Sequence, residues 1–319
     1  MVDANENNAR IPGVSDREVR RYRIFSFDFD STPRDLTETP GEDWSEEAKL
    51  EWQQRREQSI AWIARDYGER NLDQKVADFA AFDAKPFSIV AHHNVMFDHV
   101  RAAFVSGGYY AALTGACALG ERILNHLMLD LRDHYKATPQ YKHVYRKDSF
   151  DRWSLVIDTL AAWNVLLPEV VDAFRELETL RNRSIHFNAE TATQLRVDAL
   201  SAAGLLSQII EKQFCAFGLQ PWFIEGTLGA GFIKREWELD PFVAHYYCAK
   251  NVCVGPFHSV DFHPSDGWRF VDHPDYGEFG IEILTDEQFK DLFNDASPET
   301  RACVAPDDAK AATIDPPAA

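Results

Sequence analysis

Arg181-Asn182-Arg183-Ser184-Ile185-His186 closes an apolar-periodic stretch that starts at Pro168 and carries Val171, Phe174, Leu177 and Leu180. Proline suits the first turn of a helix, whose N–H groups lack intrahelical partners anyway, so the stretch predicts a helix from 168 into the motif. An Arg guanidinium is a planar fork matched to phosphate oxygens, and an imidazole can take and give a proton near neutrality. Together the two residue types suit chemistry on a phosphodiester. At about 100° per residue, Arg181 and His186 would point roughly 140° apart on one straight helix, while Asn182 and His186 would share a face. A common pocket then needs either a helix end between them or a second copy of the chain, and both routes place a junction at the motif. The alternative is a plain helix end, with His186 over the last carbonyls and Arg181 paired to Glu176 or Glu178 on the surface.

The same 3.6-residue periodicity extends on both sides. Upstream it predicts helices near 87–105 (Ile89, Val90, Val95, Phe97 inward) and 109–135 (Leu113, Leu119, Ile123, Leu127 inward), then one capped around Asp148-Ser149 with Trp153, Val156, Leu160 and Trp163. A last helix starts after Asn188 and ends near Gly218, with Val197, Leu200, Leu205, Ile209 and Phe214 inward. Ahead of this bundle, Phe25, Phe27 and Phe29 alternate with polar residues as in a half-buried strand, expected over 21–30, and a helix over 45–67 follows, with Glu46 and Glu47 in its first turn and Gly68 as its stop. From about 219 short aromatic and β-branched runs broken by Gly and Pro predict a small β-containing region, and Thr285 to Gln288 has capping-box spacing for a short helix. The organisation read from sequence is an N-terminal extension (1–84), a helical bundle (85–218), a small C-terminal α+β appendage (219–295) and a disordered tail (296–319), so the fold class is mainly α.

The motif and its upstream helices resemble the HEPN domains, helical proteins whose signature is Arg, a polar residue, a short spacer and His. Gly108-Tyr109-Tyr110-Ala111-Ala112-Leu113 leading into Ala118-Leu119-Gly120-Glu121-Arg122-Ile123-Leu124-Asn125 looks like the small-residue and acidic-plus-Leu helix that opens such domains. The resemblance covers roughly residues 85 to 217 and implies an antiparallel helical bundle that cleaves RNA without a metal cofactor, plausible in a toxin or an antiviral effector. Carried over, the 2'-hydroxyl attacks its own phosphate, His186 is the proton shuttle, Arg181 the phosphate clamp, and Asn182 orients one or the other. Arg183 and Glu121 are supporting residues, as a second phosphate contact and an inner acidic group. A two-fold homodimer joining two motifs fits a composite site. The competing reading is a non-catalytic HEPN-like module that binds a nucleotide, RNA or a regulatory protein partner in the same cleft.

At 319 residues, 45% hydrophobic, the chain can bury a sizeable core, and its net charge of −18 (33 basic against 51 acidic residues) excludes broad coating of nucleic acid. Any RNA site must be local. Lys142, Arg146 and Lys147 with Tyr145 form a basic, aromatic segment that could supply it, phosphates meeting the cations and bases the rings. Five cysteines form an odd set and no secretory signal opens the sequence, so the expectation is a reduced, cytoplasmic protein with no membrane span. His245, Cys248, Cys253, His258 and His263 fall within nineteen residues, but only His245-x-x-Cys248 has the spacing of a zinc knuckle. Asp28-Phe29-Asp30-Ser31-Thr32 resembles the Asp-x-Asp-x-Thr motif of haloacid dehalogenase-like phosphatases, without the alternating strands and helices that family needs afterwards.

Overall fold

The computed structural model describes residues 18–185, 191–263, 267–296 and 312–314, among which α-helix predominates beside three small sheets. Contacts divide the chain into two compact units, one spanning residues 28–215 and one combining the segment up to 27 with that from 216 onward. These limits differ from the divisions at 84 and 218 read from the sequence. No helix among the described residues is long and apolar enough to cross a membrane.

The strand expected over 21–30 is two strands, β1 (Arg21–Ile24) and β2 (Phe27–Asp30). Between them the N–H groups of Phe25 and Ser26 donate to Oδ1 of the buried Asn251, at 2.8 and 3.3 Å. Two successive donors taken by a side chain are lost to a strand ladder, and the strand breaks there.

The 28–215 unit continues with α1 (Thr32–Thr37), α2 (Glu46–Tyr67), α3 (Leu72–Ala81), β3 (Lys85–Ile89), α4 (His92–Val105), α5 (Tyr109–Leu131), α6 (Trp153–Ala162), α7 (Pro168–Ile185) and α8 (Thr191–Gln213). α2 starts as its sequence predicts, Ser45 Oγ accepting from the Ala48 N–H at 3.1 Å. The helix expected over 87–105 is β3 followed by α4. Ile89 N–H reaches the Phe214 carbonyl at 2.8 Å, and the Ala91 N–H donates to Asn94 Oδ1 at 2.8 Å, so the backbone is extended before it can coil. Two expected core positions are in fact outside: Val95 is 61% and Val197 62% exposed. α5 occupies the centre, packed against α4, α6, α7 and α8, and is buried on more than one face. Uncharged and rich in small residues, its first half lets neighbouring helices come close.

The other unit adds β4 (Gly231–Phe232), α9 (Pro241–Tyr246), β5 (Val252–Val254), β6 (Ser259–His263), β7 (Gly267–Val271), α10 (Asp286–Asp295) and β8 (Ala312–Ile314). β1 is the middle strand of one antiparallel sheet, with Arg23 opposite Phe232 and Tyr22 opposite Cys253. The expected capping box is present at α10, where Thr285 and Gln288 exchange hydrogen bonds of 2.9 and 3.2 Å. Part of the segment expected as a disordered tail is ordered: β8 pairs antiparallel with β7, Arg269 opposite Thr313, a strand edge recruiting a β-branched run. Residues 297–311 and 315–319 of that segment lie outside the described residues.

The core of this unit gathers Val19, Phe232, Val254, Phe270, Phe289 and Phe293 around Tyr276. The Tyr276 hydroxyl donates to Asp272 at 2.5 Å, and Asp272 also accepts from Arg20 Nε at 3.0 Å and the Gly255 N–H at 2.9 Å. A Cβ on Gly255 would sit 2.1 Å from the Tyr276 hydroxyl, so glycine is the residue that lets the ring in. Burial, and next the Asp272 carboxylate, push the Tyr276 phenol well above its ordinary value. Folded protein then keeps this proton where an unfolded chain loses it. The contribution is whole below about pH 10, the ordinary tyrosine value, and is lost as pH rises from there through the folded value. Equilibrium unfolding followed from about pH 9 to 11 is expected to show a shallower loss of stability in Tyr276→Phe than in the wild type. Equal slopes would refute the assignment.

Candidate functional site

α7 buries Val170, Phe174 and Leu177 along one stripe, and Arg181 continues that stripe one turn beyond Leu177. Its guanidinium is therefore turned inward to α5. Nη2 lies 3.0 Å from Glu121 Oε2, the charge sits 5.7 Å over the Trp153 ring, and the Trp153 indole N–H donates to the same carboxylate oxygen at 3.0 Å. The surface pairing with Glu176 or Glu178 does not occur; the partner is Glu121, whose side chain is part-exposed. Close packing at Gly120 makes this possible. A Cβ there would lie 2.7 Å from Leu177 and 2.8 Å from Trp153, and its absence lets α6 and α7 meet α5 where Glu121 follows.

Asn125, one turn past Glu121, holds the end of the loop between α5 and α6. Its Nδ2 donates to the Phe150 carbonyl at 2.9 Å and its Oδ1 accepts from the Phe150 N–H at 2.7 Å. Asp148 and Ser149 are thereby fixed over α5. Between them and Arg181 opens a cleft of about 520 Å³, floored by Thr114, Ala118, Glu121, Arg122, Asn125, His126 and Leu129 of α5. These positions recur every three or four residues and so share one helix face. Two guanidinium groups, an imidazole and two carboxylates line one space, a set able to hold a phosphate and to move a proton beside it.

The remaining sequence-derived residues distribute as follows. His186 lies outside the described residues, which resume at Thr191. Asn182 is exposed, its Oδ1 accepting from Arg181 Nη1 at 3.4 Å. Arg183 reaches across to Asp198 of α8 at 2.5 Å, so it ties two helices together and does not line the cleft. Lys142, Tyr145, Arg146 and Lys147 are exposed, with Arg146 stacked 4.9 Å from the centre of the Tyr145 ring, and none of the four forms the cleft wall. Their loop reaches the cleft through Asp148 and Ser149 alone. Sequence reasoning missed Arg122 and His126; the signal was their spacing, four and eight residues after Ala118 on the face that carries Asn125.

Behind Arg181, burial pushes the Cys117 thiol up to about 11, against the opposing pulls of a Ser184 hydrogen bond and the Arg181 charge, which leaves it a poor nucleophile. The zinc set does not assemble. His258 is fully buried with Nε2 2.5 Å from Arg23 Nη1 and Nδ1 2.6 Å from the Gly255 carbonyl. A guanidinium only donates, so Nε2 faces a donor, and both ring nitrogens are engaged within the protein. Burial also drives the Cys248 thiol far up, and among the described residues no three His, Cys, Asp or Glu side chains converge on a metal position. Asp28 and Asp30 are held by buried cations, Lys85 at 2.5 Å and Arg101 at 3.0 Å, in a β2–β3 sheet of two strands. That is a clasp on a two-stranded sheet, and among the described residues the many-stranded sheet of the phosphatases is not formed.

Compared with protein-family models, with curated proteins and with solved structures, the chain has no match.

Proposed function

We propose that the chain is a metal-independent endoribonuclease of the HEPN type, acting on RNA as a two-fold dimer in the cytoplasm, with Arg181 as the phosphate clamp. The observation that carries this reading is the place of Arg181: oriented by Glu121 over Trp153, at the wall of a cleft that also holds Arg122 and His126. In the reaction the 2'-oxygen forms a bond to phosphorus while the bond to the departing 5'-oxygen breaks. The 2'-hydroxyl proton leaves to a base, and the 5'-oxygen receives a proton from an acid. Arg181 stabilises the charge gathering on the phosphoryl oxygens, and a cation already held in position needs little reorganisation to do so. Arg122 takes the second phosphate contact first expected of Arg183, and His186 moves a proton.

A second reading has its own support. Arg181 is already paired with a carboxylate and the chain carries a net charge of −18, which suits a module that binds a nucleotide or RNA without cleaving it. Incubation of a mixed RNA pool in EDTA, with product ends identified, separates the two. Fragments ending in 2',3'-cyclic phosphate, absent when the 2'-hydroxyl is replaced by hydrogen, are expected of the nuclease. RNA retained intact by folded protein would establish the binding module instead.

A further inference from the structure

We propose that the loop joining α5 to α6 is a second RNA-binding surface, outside the cleft, that takes the single-stranded continuation of the RNA held there; the inference rests on reading the cleft as an RNA site. Residues 132–147 carry five Lys and Arg against one acid, Asp133, a net of +4 in a chain whose net is −18. A cationic island on an acidic molecule attracts a polyanion locally, and repulsion elsewhere confines the contact to that island. Two of the five cations are engaged within the loop. Lys136 lies 3.6 Å from Asp133, whose Oδ1 also accepts from the Tyr141 hydroxyl at 3.0 Å. Arg132 donates to the carbonyls of Val144, at 3.1 Å, and of Lys147. Lys142, Arg146 and Lys147 are exposed, and among the described residues no carboxylate pairs with any of them. The Arg146 guanidinium lies 4.9 Å from the ring centre of Tyr145, which is itself 40% exposed. A tyrosine ring and a guanidinium plane both stack unpaired bases, whereas a duplex keeps its bases out of their reach.

The surface is built before RNA arrives. Two 3₁₀ turns, Arg132–Tyr135 and Pro139–His143, shape it. Tyr135 stacks flat on Trp163, with ring centres 4.5 Å apart and planes inclined by 4°. The Trp163 indole N–H donates to Thr138 Oγ1 at 2.8 Å, and Val144 is completely buried. A loop already held loses little freedom on binding, so more of its contact energy appears as affinity. It also runs into the cleft wall, which Asp148 and Ser149 help to form. Consecutive Cα atoms are about 3.8 Å apart, so the Arg146 and Lys147 backbone lies within about 8 Å of Asp148. Asp148 repels a phosphate at the wall itself. The loop cations and the cleft cations, Arg122 and Arg181, therefore meet different phosphates of one strand, and a dinucleotide, with its single phosphodiester, cannot meet both.

Binding of 2'-O-methyl RNA, which has no 2'-hydroxyl to attack its own phosphate, by the full-length protein tests this without requiring turnover. Fluorescence anisotropy is recorded across salt with a labelled, unstructured strand of about twelve nucleotides. In Lys142→Gln/Arg146→Gln/Lys147→Gln the slope of log affinity against log salt should be shallower by about 2, at ~0.7 per cation for a single strand. Tyr145→Ala should weaken the same strand about 5- to 150-fold, the range for loss of one stacked base. Dinucleotide binding, read by competition, should be retained in both variants, which also shows that the cleft is intact. No binding of the long strand by the wild type, unchanged binding by the variants, or an equal loss for the dinucleotide would overturn the proposal. Equal affinity for a duplex of the same sequence, or displacement of the strand by poly-Glu at matched charge, would overturn it as well, since neither offers a free base to Tyr145 and Arg146. The outcome is separable from that of the ribonuclease reading. Natural RNA left intact, with length-dependent binding that the loop variants lower, refutes cleavage alone; cleavage with binding indifferent to the loop refutes this surface alone.

Discussion

Arg181→Lys is expected to lower single-turnover RNA cleavage by about 10²–10³-fold, the loss usual when a preorganised donor is removed from developing charge. The folded protein should change little, since a Lys keeps charge and stem length while the lost ion pair is partly solvent-exposed, with side chains 26% and 33% open. The discrimination comes from shape. A guanidinium can meet the Glu121 carboxylate with one edge, lie over Trp153 with its face, and still present N–H groups to a phosphate. An ammonium is a point charge that does only one of these. Arg181→Ala should cost at least as much rate and in addition uncover Trp153. His186→Ala should lose roughly 10²–10⁴-fold by removal of a proton-transfer group. Cleavage in EDTA by matched amounts of each folded variant reads all three. If Arg181→Lys cleaves at the wild-type rate, Arg181 is a structural partner of Glu121 and the phosphate clamp must be sought elsewhere, with Arg122 the first alternative.

The inward direction of Arg181 was not read from the sequence, where Val171, Phe174, Leu177 and Leu180 marked the apolar side; the stripe that is buried runs through Val170, Phe174 and Leu177, four residues before Arg181. A charged residue at a core position of a helix is a signal in itself. Its partner was legible only in type: Glu121 stood out as an acidic residue beside Gly120, whereas Glu176 and Glu178 were nearer along the chain and equally charged. What decided between them was the close helix approach at Gly120, a tertiary contact. His126 and Arg122 escaped notice for a different reason. A polar stripe on a helix reads the same whether it faces water or a cleft, and the loop that makes this stripe a wall is fixed by the Asn125 to Phe150 hydrogen bonds, twenty-five residues apart. The break between β1 and β2 depends on Asn251, more than two hundred residues away, so alternation over Phe25, Phe27 and Phe29 could only suggest one strand. Helix starts set by local chemistry, at Ser45 and Thr285, were readable because the cap oxygen and the N–H that donates to it lie within three residues of each other.

The largest stability loss is expected from Asp78→Ala. Asp78 is completely buried on α3, and its Oδ1 accepts from Arg196 Nε at 2.9 Å and Nη2 at 2.8 Å, and from Gln74 Nε2 at 2.8 Å, while Oδ2 accepts from the Tyr109 hydroxyl at 2.7 Å. One carboxylate thus joins α3 to the start of α5 and to α8, the two helices that flank α7. Removing it leaves the Arg196 charge, which lies 5.7 Å from the Phe104 ring centre, without its counter-ion, and breaking a buried pair by deleting one partner costs about 3–5 kcal/mol. Arg196 is more open than Asp78, 39% against none, so part of that cost is recovered by solvation and the lower end of the range applies. Chemical denaturation of Asp78→Ala should therefore show a midpoint shifted strongly downward. Asp78→Asn should lose less, because it keeps the shape and one acceptor for Arg196 while giving up the charge. Asp78→Ala/Arg196→Met, which removes both partners, should recover part of the loss, and the size of that recovery measures the coupling. A single Ala variant as stable as the wild type would show that this buried carboxylate contributes nothing net. The cleft would then owe its geometry to the packing of α5, α6 and α7 alone. If the loss appears, RNA cleavage should fall along with folded fraction and no faster, since Asp78 holds the ends of the helices that build the cleft and touches none of its lining.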